Sequence, residues 1–139
     1  MKEIPVGLRG EAQTAVTEQN TAQAVASGTL PVFGTPMMLA LIEQAALQSV
    51  APYLDEGEST VGTLLNVSHD AATPIGMKVR AETEVTAVEK RKIVFSVAAY
   101  DEAGPIGKGT HERFVIRSEK FVAKTYAKLN QQHSDLHAE

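Results

Sequence analysis

Thr35-Pro36-Met37-Met38-Leu39-Ala40-Leu41-Ile42-Glu43-Gln44-Ala45-Ala46-Leu47-Gln48-Ser49-Val50-Ala51 dictates how the rest of the chain must be arranged. Threonine ahead of proline predicts a helix start, with Thr35 as cap and Pro36 at the first helical position. Pro52 and the polar turn Asp55-Glu56-Gly57-Glu58 mark its end. The apolar residues do not keep to one stripe. Met38, Leu41, Ile42 and Ala45 cover one side; Leu39, Ala40, Ala46, Leu47 and Val50 cover another. Only Gln44 and Gln48, four apart, form a clear polar seam. A helix apolar nearly all round is expected to be buried on most sides, so other elements must wrap it.

The segments downstream read as strands. Residues 60 to 69 alternate Val61, Thr63, Leu65, Val67 and His69 against Thr60, Gly62, Leu64, Asn66 and Ser68. Residues 77 to 88 alternate most cleanly, with Met77, Val79, Ala81, Thr83, Val85 and Ala87 opposite Lys78, Arg80, Glu82 and Glu84. Strands at 93 to 100 and 106 to 117 follow across the turns Glu89-Lys90-Arg91 and Asp101-Glu102-Ala103-Gly104. Short turns between successive strands imply an antiparallel meander. Upstream, residues 10 to 18 suggest a weaker first strand. Asn20 to Ser27 suggests a short helix capped by Asn20 or Thr21, and residues 28 to 34 a lid-like loop. Ser118 to Gln131 reads as a closing helix through Phe121, Val122, Tyr126 and Leu129, and residues 131 to 139 as a frayed tail. The expected class is α+β: an antiparallel sheet wrapped around a long central helix, with a C-terminal helix, which is the hotdog fold.

At 139 residues the chain is the size of one domain, spanning 1–139, and no repeat or linker divides it. Its 43% hydrophobic and 22% charged content is that of a globular protein. The absence of cysteine excludes disulfides, thiol nucleophiles and thiolate metal sites. A net charge of −4 argues against a nucleic-acid partner. No leader-like or membrane-length apolar run is present, so a cytoplasmic protein without a membrane partner is expected. No H-E-x-x-H helix, Walker loop, dinucleotide fingerprint or nucleophile elbow occurs, and the histidines lack ligand spacing, so no metal is expected.

Chemistry must then come from scattered polar residues. Glu43 has Pro36, Leu39, Ala40, Ala46, Leu47 and Val50 as helical neighbours. A carboxylate on that stripe either reaches solvent or a cation at the helix edge, or faces a pocket as a functional group. His69 closes a strand beside the loop at 70 to 76, where imidazole suits proton transfer or a bond to Asp70. Gly62 lies in the same strand on the opposite parity and marks a bulge or a close ligand approach. His111 and Arg113 share one parity of the last strand, where Arg113 is a surface ion pair or an anion clamp. Lys78, Arg80, Lys90, Arg91 and Lys92 read as a solvated face, or as partners for nucleotide phosphates.

Together, Val32-Phe33-Gly34-Thr35, the helix through Glu43 to Leu54, Val61-Gly62-Thr63, Ser68-His69, Ala71-Ala72-Thr73-Pro74, Gly109-Thr110-His111-Glu112-Arg113 and Glu119-Lys120-Phe121 resemble the fluoroacetyl-CoA thioesterase family. The similarity runs from Val32 to Lys124 and rests on order and spacing. It implies hydrolysis of a short-chain acyl-CoA thioester, with Thr35, Glu43 and His69 matching the family's catalytic residues. Gly62 and Arg113 match its substrate-binding ones. It also implies no cofactor beyond the coenzyme A of the substrate, and at least a homodimer with the site at the subunit interface. The family's lid phenylalanines are replaced here by Ala26 and Thr29, which leaves the acyl group open. Two other readings of the same pocket are a non-catalytic acyl-CoA-binding protein and an enoyl-CoA hydratase or dehydratase.

Overall fold

The computed structural model describes residues 1–138, with side chains through Asn130; the expected frayed tail at 131–139 falls outside the described side chains. The elements are β1 (Arg9–Ala15), α1 (Thr35–Val50), a 3-10 turn (Ala51–Tyr53), β2 (Glu58–His69), β3 (Lys78–Glu89), β4 (Lys92–Asp101), β5 (Gly104–Arg117) and α2 (Ser118–Ala138). The strands form one antiparallel sheet in the order β1-β3-β4-β5-β2.

Only β3, β4 and β5 make the expected meander. They are joined by turns in which Lys90 and Gly104 take positive φ. β2 leaves its sequence neighbour and pairs with β5 at the far edge. The connection after His69 is too long for a tight hairpin and is tied down elsewhere. Asp70 N–H donates to Ile106 O at 2.6 Å, and Phe33 N–H to Thr73 O at 2.9 Å.

α1 lies in the concave face of this sheet. Met38, Leu41, Ile42, Ala45, Ala46 and Val50 are buried in a cluster with Val79, Ala81, Val85, Phe95, Val97 and Ala99 from β3 and β4. The rest of the helix is more open than its composition suggests. Ala40 and Leu47 are exposed, and Leu39 and Glu43 only half-buried. In one chain, the sheet covers a single side of α1. β2 has a free edge, with Leu64 and Leu65 exposed at its centre, and α2 shows Phe121, Val122, Tyr126 and Leu129 to solvent.

Three local expectations are corrected. Asn20 to Ser27 is one turn rather than a helix. Val25 N–H reaches Thr21 O, and the turn is then closed by Ser27 N–H to Ala22 O and Ala26 N–H to Gln23 O, with Ala26 at φ 60°. That paired closure is the Schellman pattern, which ends a helix as soon as it forms. Asn20 braces the loop instead, accepting from Thr17 N–H and donating to Ala15 O.

Secondly, Gly34 takes the cap position and Thr35 is the first helical residue, so its hydroxyl caps nothing. Thirdly, a register shift between Gly62 and Leu64 inserts Thr63 as a bulge. One extra residue reverses the alternation. Gly62, opposite Arg113, therefore shares the inner face with Leu65 and His69, opposite His111 and Gly107. Among the described residues, no helix is long and apolar enough to cross a membrane.

Candidate active site

The side chains singled out in the sequence gather into two clusters on the inner face, one at each end of the helix–β2 contact. In the first, the freed Thr35 hydroxyl meets His69 Nδ1 at 2.7 Å. His69 Nε2 is buried with no partner among the described residues. An orphaned ring nitrogen of this kind is costly unless something is meant to meet it. The pair lines a cavity of about 250 Å³ with Ala22, Ser27, Val32 and Phe33 of the lid and Asp70 to Ala72 of the following loop. Ala26 and Thr29 are exposed and do not line it.

In the second cluster Arg113, only 5% exposed, is held from three sides. Its Nε–H donates to Thr60 Oγ1 at 2.8 Å and an Nη2–H to Thr60 O at 3.0 Å. Nη1 lies 3.0 Å from Glu43 Oε2 and 3.2 Å from His111 Nε2. Glu43 has the cation partner of the first reading, and its side chain is 40% exposed. Arg113 Nη1 holds Oε2, and Oε1 accepts no hydrogen bond among the described residues. A Cβ at residue 62 would overlap Glu43 Oε2 and lie 3.3 Å from Arg113 Nη1, so only glycine lets the carboxylate sit against the strand. Gly62→Ala is expected to push Glu43 aside and lower turnover about a hundredfold, the scale of a misplaced reacting group. The check is kcat alongside an unchanged melting profile.

His111 and Thr60 complete this cluster, and sequence reasoning gave neither a role. The available signal was the two-residue spacing of His111 and Arg113 on one strand face. His111 is fully buried and stacks on Phe95 with ring centroids 5.8 Å apart. Its Nδ1 lies 2.8 Å from Leu64 O, which can only accept, so Nδ1 carries the proton and Nε2 accepts from Arg113. Burial first, and the Arg113 charge second, hold its pKa below the usual 6.5, against the opposing pull of the Leu64 bond.

The sign of the pH effect follows. The unfolded chain binds a proton on this histidine below about 6.5, where the folded chain does not, so stability is full above that value and falls as pH drops below it. His111→Gln is expected to flatten part of the loss in melting temperature between about pH 7 and about pH 5. An unchanged slope would contradict a buried neutral imidazole.

The backbone positions just after Thr35 offer no free donor. Pro36 has no N–H, and Met37 and Met38 both donate to Gly34 O at 3.0 Å. That end of α1 also carries the Thr35 hydroxyl and the positive pole of the helix. The two clusters do not meet within the chain. Thr35 and Glu43 are about 12 Å apart along the helix axis at 1.5 Å per residue. Met38 lies between them against Gly107, the residue paired with His69. A larger cavity of about 520 Å³ over β1, β3 and β4 contains none of these residues.

A family profile described as fluoroacetyl-CoA-specific thioesterase matches residues 16–119. The fluoroacetyl-CoA thioesterase of Streptantibioticus cattleyicolor is 46% identical over 97 residues, 70% of each chain. A crystallographic study of a fluoroacetyl-CoA thioesterase provides a structure with TM-score 0.86 and 38% identity, covering 91% of this chain and 98% of that one. Its threonine-to-serine mutant in complex with acetyl-CoA gives 0.86 at 37% identity, over 90% of this chain and 98% of that one. A thioesterase superfamily member from Thermus thermophilus gives 0.83 at 30% identity over the whole of both chains.

Proposed function

The chain belongs to the fluoroacetyl-CoA-specific thioesterase family and is a thioester hydrolase of the hotdog superfamily; from this premise we propose that it cleaves short-chain acyl-CoA at a site shared between two copies of the chain. The observation that carries the reading is the pairing of a carboxylate fixed by a buried arginine with a separate threonine–histidine pair whose outer ring nitrogen is unsatisfied.

The free edge of β2 supports the sharing. A long unpaired strand with exposed leucines at its centre is a template for another strand. Antiparallel pairing of two β2 strands about a twofold axis at Asn66 sets Leu65 opposite Val67 of the partner subunit. Past the extra residue of the Thr63 bulge, it sets Gly62 opposite His69 of the partner subunit, on the same inner face. Glu43, Gly62 and Arg113 of one chain then face the Thr35–His69 pair of the other. The half-open side of α1 is covered in the same step. Sedimentation is expected to give a species of twice the 14.9 kDa chain mass; a stable monomer would refute the arrangement.

In that site the positive pole of α1 polarises the thioester carbonyl. Glu43 Oε1 supplies the attack, either directly, giving a mixed anhydride that water hydrolyses after the thiol has left, or through a water whose proton it takes. The tetrahedral oxyanion collapses with cleavage of the carbon–sulfur bond. His69 Nε2–H protonates the departing thiolate, and Thr35 O–H donating to Nδ1 fixes the tautomer this requires. Label entering Glu43 in a single turnover in heavy-oxygen water identifies direct attack, through water opening the anhydride at the Glu43 carboxyl carbon.

Release of free thiol from a panel of acyl-CoAs, fluoroacetyl through aromatic, tests the activity and ranks the acyl groups. Enoyl-CoA turnover without thiol release would identify a hydratase instead, and binding with no turnover would identify a carrier. The 250 Å³ cavity beside Thr35 favours small acyl groups.

A further inference from the structure

A second concave surface lies where α2 leaves the sheet. A groove of about 300 Å³ runs between the end of β5, the β3–β4 turn and the first turns of α2. Its rim carries Arg91, Arg117, Lys120 and Lys124, and Val115 and Phe121 are part of its wall. In a chain with net charge −4, four of the thirteen basic residues converge here. Lys120 and Lys124 lie one helical turn apart, on the side of α2 that faces Arg117.

The acidic groups nearby are already engaged. Glu58 is shared between Arg91 at 3.5 Å and the amino terminus at 3.0 Å, and Asp55 pairs with the same amine. Glu119 stands in the first turn of α2. Arg117, Lys120 and Lys124 form no ion pair among the described residues.

Cations gathered over an apolar wall suit a ligand with several phosphate charges on an aromatic body. The groove is also correctly placed for the substrate. Arg117 is on the same face of β5 as Arg113, four residues further on, about 13 Å at the rise of a strand. The extended pantetheine arm of coenzyme A bridges that span. We propose that this groove holds the phosphorylated adenosine end of coenzyme A, with the phosphates against Arg117, Lys120 and Lys124 and the adenine against Phe121. The assignment rests on the acyl-CoA reading of the site and adds the element that distinguishes a coenzyme A ester from any other thioester.

The test compares an acyl-CoA with the same acyl group on pantetheine, which lacks the nucleotide. The wild type is expected to prefer the CoA ester by about a hundredfold in kcat/KM, mostly through KM. Lys120→Glu with Lys124→Glu is expected to shrink that preference about tenfold. Lys78→Glu, on β3 away from the groove, supplies the control for charge reversal elsewhere on the surface, and Lys120→Glu alone is its charge-matched counterpart in the groove. Adenosine bisphosphate, the nucleotide alone, is expected to bind the wild type in calorimetry, and more weakly in the paired variant and at high salt.

Equal use of both esters by the wild type would overturn the proposal while leaving thioester hydrolysis standing. So would a paired variant that loses both esters to the same degree. Nucleotide binding with no hydrolysis of either ester would support the groove and overturn the hydrolase reading of the site.

Discussion

Glu43→Gln is expected to lower kcat for thioester release about a thousandfold, within the range lost when a proton-accepting or attacking group is removed. The substitution keeps the shape of the side chain and an oxygen for Arg113 Nη1 to donate to, now 3.0 Å away. What it removes is the charge and the basic lone pairs of Oε1. Glu43 is 40% exposed, so its loss does not strand a buried anion. The unpaired group is Arg113, which keeps its bonds to Thr60. The melting temperature should therefore move by only a few degrees. Activity falling with the fold intact is the signature; a variant within about tenfold of wild type would remove Glu43 from the chemistry.

Mixing two inactive proteins is expected to restore activity. If Glu43 of one chain works with His69 of the other, Glu43→Gln and His69→Ala damage opposite halves of each site. Dissociated and reassociated in equal amounts, half the dimers are mixed, and each mixed dimer holds one site with both lesions and one with neither. Recovery should approach roughly a quarter of wild-type activity, from two preparations that separately have almost none. Lesions in the same half, such as Thr35→Ala with His69→Ala, should give no recovery. A site completed within a single chain would make both mixtures inactive.

The elements were legible because each has a local cause. Helix α1 follows from threonine and proline at its start and from its length, and β3 from clean alternation between Lys78 and Val85. Pairing partners were not legible. β2 joins β5 across some forty residues of chain, which no local pattern records. The Thr63 bulge put Gly62 on the wrong face, since one inserted residue leaves the sequence looking regular while the backbone reverses.

In the site, residue types were legible and their grouping was not. Glu43 and Arg113 are 70 positions apart, and Thr35 and His69 are 34 apart. His111 escaped because its value lies in what it contacts, the Leu64 carbonyl and Arg113. The turn at Asn20 to Ser27 misled for a different reason. Helix stops are recognised by glycine or asparagine, and this one uses alanine.

That alanine has a consequence for how the lid can change. Ala26 already sits in a left-handed backbone conformation, with its side chain in solvent. The steric cost of a Cβ there is already present in the native fold. Exchanging Ala26 for another unbranched side chain adds little, and asparagine or glycine would relieve it. The lid can therefore accept new side chains without a new backbone, by drift in a lineage or in a saturation library, at almost no cost to folding.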